Sequence, residues 1–208
     1  MPRVLQRVAV LASGGGTNLQ ALLDDPVVGA WVVLVVSDRE DAGALERARR
    51  RGIRAEHVDP ASFPDRAAFD RAIAELLHDA AIDMVALAGF MRIVGPELVD
   101  AYEGRMLNVH PALLPAFPGA HAVADALAWN VKVTGVTVHL VDHEVDHGPI
   151  VSQEAVVVSP DDDWDSLEAR IHEVEHRLLP AAVRALGEGR LSVEGRRVRI
   201  LDRRPVVR

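Results

Sequence analysis

The chain has 208 residues, which suits one domain or two closely joined halves. Its residues are 49% hydrophobic and 26% charged, as in ordinary globular proteins, and its net charge of −8 argues against a general nucleic-acid binder. The absence of cysteine excludes a disulfide framework, thiolate metal ligands and a cysteine nucleophile. No run approaches the roughly 18 apolar residues of a membrane helix, so we expect a cytoplasmic protein without a membrane partner.

The first half of the chain alternates strand-like runs with helical patterns. Continuous β-branched apolar runs predict buried strands at residues 7–12 ("RVAVLA") and 30–37 ("AWVVLVVS"), and shorter ones at 84–89 and 105–110. Apolar residues at helical spacing lie between these runs: Leu19, Leu22 and Leu23; residues 44–51, with Gly52 beyond the helix end; and Phe69, Ile73, Leu76 and Leu77 after Asp65. This alternation predicts a Rossmann-like α/β fold, a mostly parallel sheet with helices on both faces.

The second half of the chain has a different pattern. A helix is predicted at residues 121–130, and residues 131–141 alternate like a strand with one exposed face. Residues 148–158 follow a polar turn and predict an antiparallel hairpin added to the sheet. A long final helix is indicated by the spacing of Leu167, Ile171, Val174 and Leu178, and the acids at Asp161–Asp163 suit its N-terminus. The arginine-rich end of the chain predicts a solvated hairpin and tail. We predict one domain, 1–208, with halves 1–104 and 105–208.

A glycine-rich loop, "SGGGTN" (13–18), lies between the first predicted strand and helix. Backbone N–H groups at a helix start favour an anion, and glycine lets the backbone approach a phosphate closely. The loop lacks the Lys–Ser/Thr pair of a Walker A motif, and Leu19 stands where the third glycine of a dinucleotide fingerprint belongs. Asp38, after the second strand, stands where a ribose-binding acid would be in a nicotinamide site. The loop alone leaves a phosphate site and a tight structural turn open.

Histidines and acids are concentrated in "HLVDHEVDHGP" (139–149). A metal site, a solvated turn and a single catalytic carboxylate all fit this composition. The spacing weakens the metal hypothesis, because His139 and His143 would share a strand face from which Asp142 and Glu144 point away.

Asn108 and His110 share one face at the end of a predicted strand, and three prolines follow them. In a doubly wound sheet, ligands bind beyond the carboxyl ends of the strands. An amide donor beside an imidazole suits acyl chemistry, in which one group stabilises an oxyanion and the other moves a proton. A structural, hydrogen-bonded histidine is the alternative.

Several motifs together carry a family resemblance. "NVHPALLPAFPG" (108–119), with "LAGFMRIV" (87–94) before it and "VDHGP" (145–149) after it, resembles the formyltransferases that use 10-formyltetrahydrofolate. "SGGGTNLQ" (13–20) narrows the resemblance to the phosphoribosylglycinamide formyltransferases of purine synthesis. The resemblance covers roughly residues 5–190, with the motifs in family order.

The resemblance implies a formyltransferase domain with a nucleotide-binding first half and a folate and catalytic second half. It implies that Asn108, His110 and Asp146 are catalytic. It assigns ribonucleotide binding to Gly14, Gly15, Gly16, Thr17, Asn18 and Glu175, and folate binding to Arg66, Met91, Arg92, Ile93, Val94 and Asn108. His172 stands where some members have lysine, and His147 where others often have a small or polar residue. The partners implied are glycinamide ribonucleotide and the co-substrate 10-formyltetrahydrofolate, with no metal and no nucleic acid, and the resemblance allows a homodimer.

The function implied is transfer of the formyl group to the ribonucleotide's amine, through a tetrahedral intermediate. A formyltetrahydrofolate hydrolase would share the catalytic trio but typically carries an N-terminal regulatory domain, for which residues before position 7 leave no room. A methionyl-tRNA formyltransferase would add a C-terminal nucleic-acid domain. A nicotinamide- or nucleotide-binding module is a further alternative, supported only by the glycine loop and Asp38.

Overall fold

A central sheet organises the protein, whose computed structural model describes residues 6–202. Its strands are β1 (Val8–Leu11), β2 (Val32–Ser37), β3 (Arg54–His57), β4 (Met84–Leu87), β5 (Met106–His110), β6 (Val133–Leu140) and β7 (Ile150–Val157). Their order across the sheet is β3-β2-β1-β4-β5-β6-β7. Neighbouring strands from β3 to β5 are parallel, and β6 runs antiparallel to both β5 and β7. The predicted mostly parallel sheet with an added antiparallel hairpin is confirmed.

Helices cover both faces of this sheet. They are α1 (Thr17–Asp24), α2 (Gly43–Arg50), α3 (Arg66–Asp79), α4 (Pro96–Ala101), α5 (Ala122–Ala128) and α6 (Trp164–Gly187). Side chains of β1 alternate between two cores: Val8 and Val10 pack with α1, α2 and α6, whereas Ala9 and Leu11 pack with α3 and α4. Burial on both faces explains why this strand is apolar at every position.

The strand β6 differs from its prediction. One exposed face was expected, yet every residue of β6 after Val133 is buried. One face packs with α6 in the main core, and the other is covered by the segment after β5, where Leu114 donates to the Thr137 hydroxyl at 3.1 Å. A Cβ at Gly135 would lie 2.6 Å from Leu113, which shows how closely this segment approaches the sheet. The proline-rich stretch therefore forms a layer on β6.

Side-chain caps fix two helix starts that the sequence indicates. Asp65 accepts from the Ala68 amide at 2.7 Å, and Asp163 forms a reciprocal capping box with Ser166 at the start of α6. The neighbouring Asp162 pairs with Arg170, which lowers the pKa of that carboxyl to about 2.

A small hairpin follows α6. It consists of β8 (Leu191–Glu194) and β9 (Arg197–Ile200), which pair antiparallel, as predicted for this end of the chain. The predicted tail beyond it lies outside the described residues. Within residues 6–202, no helix has the length and apolar character needed to cross a bilayer.

Candidate active site

The glycine loop, the segment after β4 and the residues Asn108 and His110 lie at the carboxyl ends of the central strands β1, β4 and β5. Leu87 and Asn108 are register partners on β4 and β5. Ser13, after β1, donates its amide to the Gly89 carbonyl at 2.9 Å, and its hydroxyl accepts from the Met91 amide at 2.8 Å. The glycine loop is thereby tied to the segment after β4. This location is where ligands bind in open α/β sheets.

The structure brings the side chains of Asn108, His110 and Asp146 together. Asn108 donates from Nδ2 to Asp146 Oδ1 at 3.2 Å, and His110 Nδ1 lies 3.3 Å from Asp146 Oδ2. The Gly119 amide also donates to Oδ2, at 2.7 Å. Asp146 has a φ of 52°, a left-handed conformation that is unfavourable for a residue with a Cβ. The carboxylate is therefore held by three groups from two segments, β5 and the proline-rich stretch after it.

Two opposing effects act on the His110 ring. Burial lowers the pKa of His110 below its ordinary value, because a desolvated ring resists charge. The Asp146 carboxylate and the Phe117 carbonyl act in the other direction, and His139 adds to the lowering. Burial alone would raise the pKa of Asp146, but interactions with His139, the Gly119 amide and His110 outweigh it and leave that pKa lowered. The carboxylate is thus ionised and able to stabilise an imidazolium.

His139 is a member of this group to which the sequence patterns assigned no role. It lies opposite Asn108 in the β5–β6 register, and its Nε2 is 3.1 Å from Asn108 Nδ2 and 3.6 Å from Asp146 Oδ1. Its Nδ1 donates to the Leu140 carbonyl at 2.8 Å, which orients the ring so that Nε2 faces Asn108 and Asp146. The signal that could have found it is the pairing of β5 with β6.

The other histidines of the 139–149 cluster point elsewhere. His143 Nε2 lies 3.1 Å from Asp100, and His147 Nδ1 lies 2.8 Å from Asp142. Among residues 6–202, no group of three or more histidine, aspartate or glutamate side chains could hold a metal ion.

The glycine loop turns sharply into α1. Gly16 has a φ of 75°, and a Cβ there would lie 2.7 Å from the Cα of Ala44 on α2. Only glycine fits this combination of conformation and close approach. Arg47 adds a hydrogen bond from Nε to the Gly15 carbonyl at 2.8 Å. The loop is therefore built with its amides at the start of α1, next to α2.

The start of α1 is joined to the last helix. Asn18 donates from Nδ2 to Glu175 Oε2 at 2.7 Å, and both side chains are buried. Burial raises the pKa of Glu175, while Asn18 and His172 act to lower it. His172 Nε2 lies 3.8 Å from Glu175, and its ring stacks on His176. The structure thus brings Glu175 to the glycine loop, and its role in binding the ribonucleotide stays a prediction.

A cavity of about 820 Å³ opens between α1, α2 and α6. Thr17, Arg47 and His176 are among its lining residues, whereas Asn108, His110 and Asp146 are not. This cavity therefore adjoins the glycine loop and is separate from the Asn–His–Asp group.

The segment Met91–Val94 is largely exposed and lies beside the start of α3. The side chains of Met91 and Ile93 are 68% and 58% exposed. The guanidinium carbon of Arg92 lies 5.2 Å from the centroid of the Phe69 ring, and Arg66 Nε lies 3.9 Å from the buried Asp70 carboxylate. Two exposed apolar side chains beside two arginines form an open surface that suits a flat ligand carrying carboxylates.

A doubly wound sheet with a glycine loop and an Asn–His–Asp group at its strand ends defines an α/β enzyme. The chain belongs to the formyl transferase family, whose model matches residues 6–183. It is 49% identical over 197 residues to the phosphoribosylglycinamide formyltransferase of Mycobacterium tuberculosis, covering 94% of this chain and 91% of that one. It is 40% identical over 185 residues to the enzyme of the same name from Bacillus subtilis, covering 88% and 95%.

A solved structure gives the same result. The crystal structure of glycinamide ribonucleotide transformylase 1 from Symbiobacterium toebii superposes with a TM-score of 0.92 at 53% identity, covering 95% of both chains. The fold, including its antiparallel strands and long last helix, is therefore that of these enzymes.

Proposed function

We propose that this chain transfers the formyl group of 10-formyltetrahydrofolate to the amine of 5-phosphoribosylglycinamide. The products are formylglycinamide ribonucleotide and tetrahydrofolate, and the step belongs to de novo purine biosynthesis. The observation that carries the proposal is the convergence of Asn108, His110 and Asp146 at the end of β5. The names of the relatives over nearly the whole chain support the choice of substrates.

The ribonucleotide is proposed to bind at the glycine loop and α1. The N–H groups of residues 14–18 suit its phosphate, since they combine free donors with the positive end of a helix. Glu175, buried against Asn18, would accept from the glycinamide group. Asn18 and Glu175 come from different predicted halves, so the site would use both; the division at residue 104 stays a prediction.

The folate is proposed to lie along Met91–Val94. The exposed side chains of Met91 and Ile93 offer apolar contact, while Arg66 and Arg92 suit the carboxylates of its glutamate. Asn108 lies on the strand next to β4, which leads into this segment, so the formyl group would reach the amide and the imidazole.

The proposed reaction is a direct displacement. The amine attacks the formyl carbon, and a tetrahedral intermediate forms with negative charge on the formyl oxygen. Asn108 and protonated His110 stabilise that oxygen by hydrogen bonds. The C–N bond to the folate then breaks, and the proton lost by the amine reaches the leaving nitrogen through His110 or a bound water. Asp146 favours the imidazolium by its charge.

The experiment mixes the purified protein with both substrates and follows tetrahydrofolate release by absorbance. A control omits the ribonucleotide. Turnover that requires the ribonucleotide supports the transferase, whereas turnover without it identifies a hydrolase. Failure of formyl transfer together with measurable dinucleotide binding would favour the nicotinamide module. A homodimer belongs to the same proposal and is tested by sedimentation of the free protein.

A further inference from the structure

The C-terminal hairpin contacts the turn that carries Asp146. Arg196, at the corner between β8 and β9, donates from Nη2 to the main-chain carbonyl of His147 at 2.7 Å. Its Nη1 lies 3.2 Å from Nε2 of the same histidine. Because His147 directly follows Asp146 in the chain, the arginine acts one residue away from the carboxylate.

The same turn is also held from within. His147 Nδ1 lies 2.8 Å from Asp142 Oδ2, and the other oxygen of Asp142 accepts from the Glu144 amide at 3.0 Å. One neutral tautomer of His147 satisfies both ring contacts, since Nδ1–H donates to Asp142 and Nε2 accepts from Arg196. The His147 ring therefore links Arg196 of the hairpin to Asp142.

The backbone between these two contacts is strained. Asp146 has a φ of 52°, in the left-handed region. A residue stays in a left-handed conformation only when its surroundings determine it. The contact of Arg196 with the His147 carbonyl fixes the peptide group between His147 and Gly148, and so restrains the chain one residue after Asp146.

We propose that Arg196 is a positioning residue, which holds the Asp146 carboxylate against His110 through the main chain of His147. The inference rests on the proposed function for its kinetic consequence. The arginine lies beyond residue 183, where the family match ends, and His147 is the residue that meets it. The hairpin thus acts on the catalytic turn and is more than a solvated end of the chain.

Loss of this contact would act on the His110 ring. The groups that face this ring are Asp146, His139 and the Phe117 carbonyl. If Asp146 moves away, the ring loses the charge that favours its protonated form, so the pKa of His110 falls. Turnover then drops, while binding of the ribonucleotide at Asn18 and Glu175 is unaffected because those residues lie on other elements.

The test compares Arg196→Ala, Arg196→Lys and, as a matched control, Arg197→Ala, which removes the same charge one residue along the exposed hairpin. NMR titration gives the pKa of His110, and steady-state kinetics give kcat and KM for both substrates. For Arg196→Ala we expect a lowered His110 pKa and a kcat reduced about three- to tenfold, which is less than the loss of a direct hydrogen bond to a charged group because the arginine acts through the main chain. Both KM values should stay within about twofold.

The controls separate this role from general stability. Arg196→Lys can still donate to the carbonyl and should restore most of kcat, and Arg197→Ala should match the unaltered protein. His147→Ala keeps the main-chain acceptor and should shift the His110 pKa less than Arg196→Ala does. Equal His110 pKa and kcat in Arg196→Ala and Arg197→Ala would overturn the proposal. If the unaltered protein transfers no formyl group, the proposed function fails, and the NMR titration still decides the role of Arg196.

Discussion

His110 donates from Nε2 to the main-chain carbonyl of Phe117 at 2.8 Å. A carbonyl can only accept, so the proton is on Nε2, and Nδ1 faces Asp146. Nδ1 can donate to Asp146 at the same time only when the ring is protonated. In the proposed reaction the formyl oxygen replaces the Phe117 carbonyl as the acceptor at Nε2. The proline-rich stretch, in which Phe117 has a φ of 51°, thus keeps the imidazole oriented before substrate arrives.

Replacing His110 tests whether the imidazole takes part in the chemistry. We expect His110→Ala to lower kcat by roughly 10²–10⁴-fold, the usual range for lost acid–base assistance. The measurement is steady-state release of tetrahydrofolate, with circular dichroism to check folding. A rate close to that of the unaltered protein would remove His110 from the mechanism.

Replacing Asp146 tests its effect on the imidazole. The carboxylate raises the pKa of His110 against the lowering effect of burial, so Asp146→Asn should move that pKa further below its ordinary value. Activity that needs the protonated ring should therefore begin to fall at a lower pH in the variant than in the unaltered protein. The pH dependence of kcat and an NMR titration of His110 measure this shift. An unchanged profile in the variant would exclude the electrostatic role.

The buried acid of the last helix should control ribonucleotide affinity. Glu175→Gln removes a charged acceptor beside Asn18, and we expect the Kd for glycinamide ribonucleotide to rise about 10- to 100-fold, as for hydrogen bonds to charged groups. Folate binding should be unchanged. Glu173→Gln, on the exposed face of the same helix, is the control. Isothermal titration calorimetry gives both affinities, and equal values for the two variants would contradict the assignment.

The glycine loop predicts a difference between two Gly→Ala substitutions. Gly16 and Gly52 both have a positive φ, but only at Gly16 does a Cβ meet neighbouring atoms, at 2.7 Å from Ala44. Gly52→Ala should cost about 1–2 kcal/mol for the left-handed conformation alone. Gly16→Ala should lower the free energy of unfolding by about 1–3 kcal/mol more than Gly52→Ala does, because α2 must move to make room for the Cβ. Urea unfolding measures both changes, and equal losses in the free energy of unfolding would show that the contact with Ala44 does not affect stability.

Much of the fold could be predicted from residue patterns. Strands buried on both faces read as continuous apolar runs, and helices such as α3 begin at a capping aspartate. The strand β3 and the helix α4 were not predicted. β3 is a partly exposed edge strand whose four residues, "RAEH", show no apolar run, and α4 spans only six residues. Short or edge elements owe their form to neighbours, which a local pattern does not reveal.

The site divides in a similar way. Asn108 and His110 follow from strand alternation, because side chains two residues apart share a face. Asp146 required the family resemblance, since its turn offered several acids of equal standing. His139 became visible only through the register of β6 against β5, and Arg196 only through the fold of the C-terminal hairpin. Contacts between distant segments depend on the assembled sheet rather than on any local spacing.

The bond between Asn18 and Glu175 also has a consequence for how the molecule is made. The two residues are 157 positions apart, so the early helix emerges from the ribosome long before its partner. A growing chain can assemble β1 and the glycine loop but lacks the acid that completes the proposed ribonucleotide site. Unfinished polypeptides would therefore not sequester substrate, and binding competence arrives only with synthesis of the last helix.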